Sequence, residues 1–521
     1  MRRRYKNSER PPRVGAAVLA KAFAGVFLIF LSTGAGVAIA GYLMIAPPKI
    51  FDPGTGQEVD PETIPNLPEE EVEPVEPGGP RTLLVLGSDR RSKYSKDAKL
   101  GQRENPHSDT IVLVRLDPKR HRVAVLSLPR DLAVTIPDYA DNTKINQAYD
   151  EGGARLTLNT VQHFFETATN KPFKINGVID VNFDGFQRAV NHVGGVYVDV
   201  DRKYYNPEGT GYASIDIGAG YQRLVGSDAL DYVRYRHTDS DLFRGARQQD
   251  FLRQASSQRS VRDLKSVDEA EELLGILLEY FRFDKKFLSR RNLAGMLKTA
   301  VNLAMSDTVV NQVALTGITE SEDPTVDTRL YIGPESTQKA YDAFMTGEGA
   351  QNPEREEEPQ KAPKRKKGKA SAVSGMVDAR RAGEDMAVMA EPRLKKLPFY
   401  FPGKVTNRSQ YVNETPRIYS LRDEDGNLHR AYRIVSAVGE SGEYWGVQGL
   451  TWRNPPILEN PDRIRKTASG RELMLFYDGS KIRMVAWRTP RGAYWVSNTI
   501  GRKVSNARMI EIAASLRRLK Q

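Results

Sequence analysis

Between residues 81 and 201 the chain alternates short apolar runs with polar punctuation. RTLLVLGSD (81–89) is an apolar run closed by Gly-Ser-Asp, which predicts a buried strand with Asp89 at its carboxyl end. DTIVLVRLD (109–117) and RVAVLSLPRD (122–131) predict two more strands, with DPKRH between them as a hairpin-like link. RLTLNTVQHFFETAT (155–169) places Leu158, Val161, Phe164 and Phe165 near one face of a helix. VIDVNF (178–183) and VYVDVD (196–201) alternate as strands around a helical DGFQRAVNHVGG. Mixed strands and helices in this order predict an α/β sandwich. Residues 228–260 and 266–305 read as mainly helical, although YVRYR (232–236) alternates like a strand and would point Arg234 and Arg236 to one face. This domain is expected to span 81–346.

The flanks have different patterns. Residues 1–13 carry six basic side chains and one acid, and the apolar run 22–46 follows. Twenty-five residues exceed the roughly 30 Å hydrocarbon core, so 14–46 are expected to form a single transmembrane anchor. The basic tail then stays in the cytoplasm and the bulk of the chain lies outside the cell membrane. A cleaved signal peptide is the competing reading, disfavoured by the length of the run. Residues 47–80 are rich in proline and acid and are expected to be an extended spacer. Residues 347–395, with EREEE and KAPKRKKGK, read as a charged linker. From 396 to 521 four aromatic and β-branched strands (YWGVQGL, ELMLFYD, KIRMVAW, AYWVSNTI) and a helix (MIEIAASLRRL) predict a small α+β domain. It holds all four tryptophans and no catalytic cluster, and is taken as a binding or interaction module.

Charge and composition narrow the chemistry. A net charge of +11 would raise nucleic acid as a partner in a cytosolic protein. Outside the membrane it points to anionic lipid headgroups and anionic wall polymers instead. With no cysteine, disulfides, thiolate nucleophiles and zinc or iron–sulfur sites built on thiolates are excluded. The densest charge is YVRYRHTDSDLFRGARQQD (232–250), with Arg234, Arg236, Arg244 and Arg247 around Asp239 and Asp241. Guanidinium groups grip oxyanions with paired hydrogen bonds, and Gln248 adds a neutral donor. A salt-bridged helix is the plainer alternative. Arg130 and Asp131 in SLPRD follow a buried strand, and Lys144 lies in the polar loop before a helix. Asp89 and Asp109 stand at the ends of adjacent apolar segments, where two carboxylates suit a hard cation completed by substrate phosphate.

LVLGSDRR, SDTIVLVRLDP, LSLPRD, TKINQAYDEGG, FDGFQRAVNHVGGVYVDVD and ALDYVRYRHTDSDLFRGARQQDFL occur in the order found in the LytR–CpsA–Psr family. The resemblance covers about 81–346. It implies an α/β/α sandwich with a central mixed sheet, and a membrane-anchored phosphotransferase. Such an enzyme moves an anionic glycopolymer from undecaprenyl pyrophosphate onto peptidoglycan. By motif, Asp89 and Asp109 match the magnesium-binding aspartates, with Mn2+ as the alternative ion. Arg130, Lys144, Arg234, Arg236, Arg244 and Gln248 match residues that hold the pyrophosphate, and Asp241 and Arg247 belong to the same block. Asp131 and Asp241 are the candidates for general base. Phe243 stands where many members have a small residue. Val161, Phe164, Phe165, Phe183 and Phe186 either line a slot for the prenyl tail or pack the core, with core the stronger alternative. Two competing functions are a non-catalytic binder of lipid-linked precursor or wall polymer, and a lipid pyrophosphatase. A membrane-bound transcriptional attenuator is a further rival, disfavoured because the expected thirteen-residue cytoplasmic tail cannot form a helix-turn-helix.

Overall fold

The computed structural model describes residues 50–51, 58–59, 79–88, 108–207, 214–235, 241–256, 258, 281–283, 309–313, 315–321, 327–347, 373–439, 442–467, 470–478 and 480–519. The basic segment 1–13 and the apolar run 22–46, where the tail and anchor were expected, lie outside these residues. Among the described residues no helix is long and apolar enough to cross a membrane. Within the expected spacer, Ile50–Phe51 pairs with Glu58–Val59 as a short antiparallel hairpin.

The apolar runs form the strands the pattern predicts. β1 (Arg81–Ser88), β2 (Ser108–Asp117) and β3 (Arg122–Leu128) make an antiparallel meander. β4 (Gly177–Asn182) adds beside β1 in parallel. β7 (Phe281–Phe283) and β8 (Val309–Val313) close the two edges of a six-stranded mixed sheet, in the order β7-β4-β1-β2-β3-β8. Phe281–Phe283 falls inside 266–305, where helix was expected; Phe-Arg-Phe pairs instead with Ile179–Val181 of β4. The rest of that stretch lies outside the described residues.

Helices cover both faces. α1 (Gln147–Thr169) buries Leu158, Val161 and Phe165 at helical spacing against Leu84, Leu86, Ile111, Leu113 and Leu126, joined by α5 (Pro334–Thr346). The Phe165 ring lies 4.5 Å from that of Phe173, tilted against it. Each such side chain contributes roughly 1.5–3 kcal/mol on burial, so Val161 and Phe165 are core and not slot. Gly152 and Gly153 break α1 after its first turn, and Gly153 takes a left-handed φ of 62° that a side chain would disfavour. The sheet's opposite face carries Thr110 and Ser127. There lies α4 (Asp241–Ser256), with Gln248 bonded to Thr110 and Gly245 beside Ser127. This domain is therefore an α/β/α sandwich around a mixed sheet.

Beyond β4 come α2 (Phe183–His192), β5 (Val196–Val200), β6 (Gly220–Leu224) paired antiparallel with β5, and α3 (Gly226–Arg234). The strand-like reading of YVRYR fails here: residues 226–234 are helical. Gly226, Ala229, Leu230 and Val233 recur at three- and four-residue spacing and are buried, which overrides five residues of alternation.

The C-terminal domain begins earlier than the linker boundary predicts. α6 (Arg380–Leu394) buries Gly383, Met386, Ala387, Ala390 and Leu394, so the second half of 347–395 is folded. Eight antiparallel strands follow: β9 (Ser409–Tyr411), β10 (Arg417–Arg422), β11 (Leu428–Val438), β12 (Tyr444–Leu450), β13 (Arg463–Lys466), β14 (Glu472–Asp478), β15 (Lys481–Thr489) and β16 (Gly492–Ser497). Their order is β9-β11-β12-β16-β15-β14-β13, with β10 also on β11. α6 and α7 (Asn506–Ser515) cover one face, two helices where one was expected.

The other face is not free. It packs on the β5–β6 hairpin of the first domain, where Tyr197 and Tyr221 enter a cluster with Leu421, Leu450, Phe476 and Trp495. Asp199 on β5 accepts from Arg433 Nη1 (3.1 Å) and Trp495 Nε1 (2.9 Å). Tyr419 donates to the Tyr221 carbonyl, Tyr197 to that of Arg422, and Arg417 to that of Ala219. Gly220, at φ 107°, permits this approach: a Cβ there would lie 2.5 Å from the Tyr419 hydroxyl oxygen.

Candidate anion site at the strand ends

β1 and β3 both run antiparallel to β2, and β4 runs parallel to β1. The carboxyl ends of β1, β3 and β4 and the start of β2 therefore share one edge of the sheet, the usual place for ligands in open α/β sheets. Ser88 pairs with Ser108 and Gly87 with Thr110, which leaves Asp109 as the extra residue of a β-bulge. Bulges re-aim side chains and recur beside active sites. Ser88 immediately precedes Asp89. Asp89, Arg236 and the side chains of Asp109 and Asp241 lie outside the described residues.

After β3 the chain turns, and Arg130 and Asp131 emerge at this edge. Asp131 is 4% exposed and accepts from Lys144 Nζ at 2.9 Å, with Arg130 Nε 3.6 Å away. Lys144 also donates to Thr328 Oγ1 (2.7 Å), and the Leu330 amide donates to the Asp131 carbonyl. The 327–332 segment thus buttresses the trio from outside. With two cations on it, the Asp131 carboxylate is placed to orient them. That geometry suits a positioner better than a proton acceptor.

Across the same edge, Gln248 Nε2 donates to Thr110 Oγ1 (3.1 Å) and the Val233 carbonyl (3.2 Å), tying α4 and the end of α3 to the start of β2. Arg234 ends α3 with its guanidinium 3.9 Å over the ring of Phe183, the first residue after β4. Arg244 lies on α4 one turn ahead of Gln248 and is buried. Burial pushes the Asp231 carboxyl of α3 up to about 6, with Asp228 adding to the rise and Arg234 opposing it.

Arg247 is turned elsewhere. It is fully buried, donates through Nη1 to the carbonyls of Tyr232 (3.1 Å) and Tyr235 (2.8 Å), and lies 4.7 Å over the Tyr204 ring. These contacts hold the end of α3 in place. Sequence reasoning missed four residues that build the edge: Tyr149, Thr110, Thr328 and Asp180. Asp180 is fully buried and accepts from Ser88 Oγ (2.7 Å) and the Tyr149 hydroxyl (2.8 Å), pinning β4, β1 and α1 together. Its signal was legible: an acid two positions after Val178 falls on the buried parity of β4.

The fold defines an α/β/α domain with Arg130 and Lys144 on Asp131 after β3, Arg234 over Phe183 after β4, and Arg244 on α4 next to Gly245, which lies beside Ser127 near the end of β3. The profile of the LytR_cpsA_psr family matches residues 54–341, and the chain belongs to that family. It is 32% identical over 203 residues to the polyisoprenyl-teichoic acid–peptidoglycan teichoic acid transferase TagU of Oceanobacillus iheyensis, a match covering 37% of this chain and 56% of that relative. To the polyisoprenyl-teichoic acid–peptidoglycan teichoic acid transferase TagT of Bacillus subtilis it is 30% identical over 197 residues, covering 37% and 58%. An uncharacterized protein of Staphylococcus aureus is 33% identical over 215 residues, covering 41% and 49%. The chain thus spans between 49% and 58% of these relatives' length. Among solved structures, B. subtilis TagV matches with TM-score 0.40 and 24% identity over 52% of this chain and 97% of that one. TagT bound to LIIa-WTA matches with TM-score 0.38 and 25% identity over 55% and 97%.

Proposed function

We propose that this protein is a membrane-anchored phosphotransferase that moves an anionic glycopolymer from a polyprenyl-pyrophosphate carrier to peptidoglycan. The observation that supports this reading is the Arg130–Asp131–Lys144 cluster after β3, with Arg234 after β4 at the same carboxyl edge of the sheet, in a family whose curated relatives are named for that transfer. A pyrophosphate diester repels an incoming hydroxyl, and fixed guanidinium and ammonium groups offset that charge where it grows in the in-line transition state. A peptidoglycan hydroxyl oxygen forms a bond to the phosphorus that bears the glycan. The bond from that phosphorus to the prenyl phosphate breaks, prenyl phosphate leaves, and the hydroxyl proton passes to a base for which Asp241 is the remaining candidate. Lys144 and Arg130, held by Asp131, face the phosphoryl oxygens from the β3 side, and Arg234 from the α3 side.

Asp89 and Asp109 are carboxylate donors that fit a hard divalent cation. Among the described residues no three His, Cys, Asp or Glu side chains gather as ligands. Two carboxylates, water and substrate phosphate make a suitable shell for Mg2+. A bound Mg2+ would supply charge neutralisation at the pyrophosphate. The apolar run 22–46 would hold the domain at the carrier's membrane.

The test incubates the full chain in detergent with a lipid-linked glycan donor, Mg2+ and peptidoglycan. Glycan joined to peptidoglycan and free prenyl phosphate are expected. Release of glycan phosphate without transfer would make the protein a pyrophosphatase, and binding without product would make it a carrier. Chelation is expected to stop turnover, and turnover unchanged in chelator would remove the ion.

A further inference from the structure

α4 has two working faces. Gln248 faces the start of β2, and Arg244 lies one turn before it, next to Gly245, which sits beside Ser127 near the end of β3; at about 100° per residue, Arg253 lies half a turn round from Arg244. On that far side a closed ring of charge joins α4 to the C-terminal domain. Asp250 Oδ1 accepts from Arg253 Nη2 (2.7 Å) and Arg502 Nη2 (3.4 Å). Asp478 Oδ2 accepts from Arg502 Nε (3.1 Å) and Arg253 Nη1 (3.4 Å). Carboxylate and guanidinium alternate around the ring, two from each domain, with side chains 12–25% exposed. Arg502 takes a left-handed φ of 55° to reach it, a backbone that arginine disfavours. Burial alone would raise Asp478, but Arg253, Arg502 and Arg483 bring its carboxyl down to about 2.

The connection continues along α4. Gln254 donates to Asp250 Oδ2 (2.6 Å) and accepts from the Asp199 amide (2.8 Å), and Asp199 is the carboxylate that holds Arg433 and Trp495. Gln258 bonds both the amide and the carbonyl of Tyr197. At the front of the helix, a Cβ on Gly442 of the C-terminal domain would lie 4.0 Å from the ring of Phe243, the residue before Arg244. The rear of the arginine helix is thus fastened to β5 and the C-terminal sheet.

We propose that the C-terminal domain is a positioning element of the anion site: through Asp478 and Arg502 it sets α4 so that Arg244 and Gln248 meet the pyrophosphate. This rests on the phosphotransferase reading for its kinetic arm alone. Arg502 and Asp478 are positioning residues, acting through Arg244, and touch no substrate.

The test uses the full chain with Arg502→Met and, as a near-isosteric second variant, Asp478→Asn. Three readouts separate positioning from general stability. Inorganic pyrophosphate should bind at least tenfold more weakly to either variant, and kcat for transfer should fall at least tenfold. Amide exchange across 245–256 should accelerate while 158–169 stays unchanged. Combining Arg502→Met with Arg244→Met should cost no more than twofold beyond Arg244→Met alone, and Arg502→Lys should regain most of the loss. Multiplicative losses in the double variant, or wild-type pyrophosphate binding in both single variants, would overturn the proposal. If wild-type protein transfers no glycan, the phosphotransferase reading fails, while pyrophosphate affinity and amide exchange still decide the coupling.

Discussion

Arg234 and Arg247 look alike in a charge-rich stretch, yet the structure gives them opposite surroundings. Arg247 spends its Nη1 on two backbone carbonyls and stacks over Tyr204, with no exposure. Replacing it with Ala strands two buried acceptors and empties a packed site, so Arg247→Ala is expected to lose about 3 kcal/mol of stability. Arg234 lies over the Phe183 ring at the strand edge and is only half-buried. Arg234→Ala should therefore keep the fold within about 1 kcal/mol while abolishing transfer. Denaturant unfolding and a transfer assay on both variants check the contrast; equal stability would remove the division of labour. The sequence reveals that arginines cluster here, because their spacing and type are local. Which of them is spent on the fold depends on Tyr204, Tyr232 and Tyr235, which tertiary folding brings together around Arg247. The buried Asp180 was readable from strand parity, whereas Thr328, nearly two hundred residues from Lys144, carried no local signal.

Elements were legible where apolar runs are continuous or strictly periodic, as in β1 to β4 and α1. α3 was half legible: its first turns have helical spacing, and only its last residues imitate a strand. α6 was hidden because Gly383, Ala387 and Ala390 supply much of its buried stripe, so its inner face is narrow and small beside a basic linker. α3 also carries a titration that can be read in stability. Asp231 has a folded pKa of about 6 against an ordinary 3.8, with burial as the main cause. The fold therefore disfavours its charged form. Above pH 6 the group destabilises the protein, and this cost is relieved as pH falls from about 6 towards 4, where the folded state binds a proton the unfolded state lacks. Asp231→Asn should raise the melting midpoint at pH 7.5 and leave it nearly unchanged at pH 4. An equal shift at both values would show that burial of Asp231 is not what sets its pKa.

At the scale of the whole molecule, the sequence divides the chain into two folded units but gives no sign that they are joined. The joining residues are ordinary in each strand: Asp199 is one acid in VYVDV, and Arg433 one basic residue in a long strand. Their meaning comes only from docking, where Arg433 is fully buried and Asp199 receives both its guanidinium and the Trp495 indole N–H. Removing one member of such a pair leaves an uncompensated buried charge and costs about 3–5 kcal/mol. Arg433→Met is therefore expected to destabilise the protein by that amount and to split one unfolding transition into two, as the sandwich and the C-terminal sheet lose their coupling. Asp199→Asn added to Arg433→Met removes the stranded carboxylate and keeps an acceptor for Trp495. The double variant should recover part of the loss, because its penalty was the unpaired charge and not the missing attraction. Calorimetry of the two variants decides it. A double variant less stable than Arg433→Met would mean that Asp199 holds the interface through Trp495 and the β5 backbone alone, with Arg433 as a passenger.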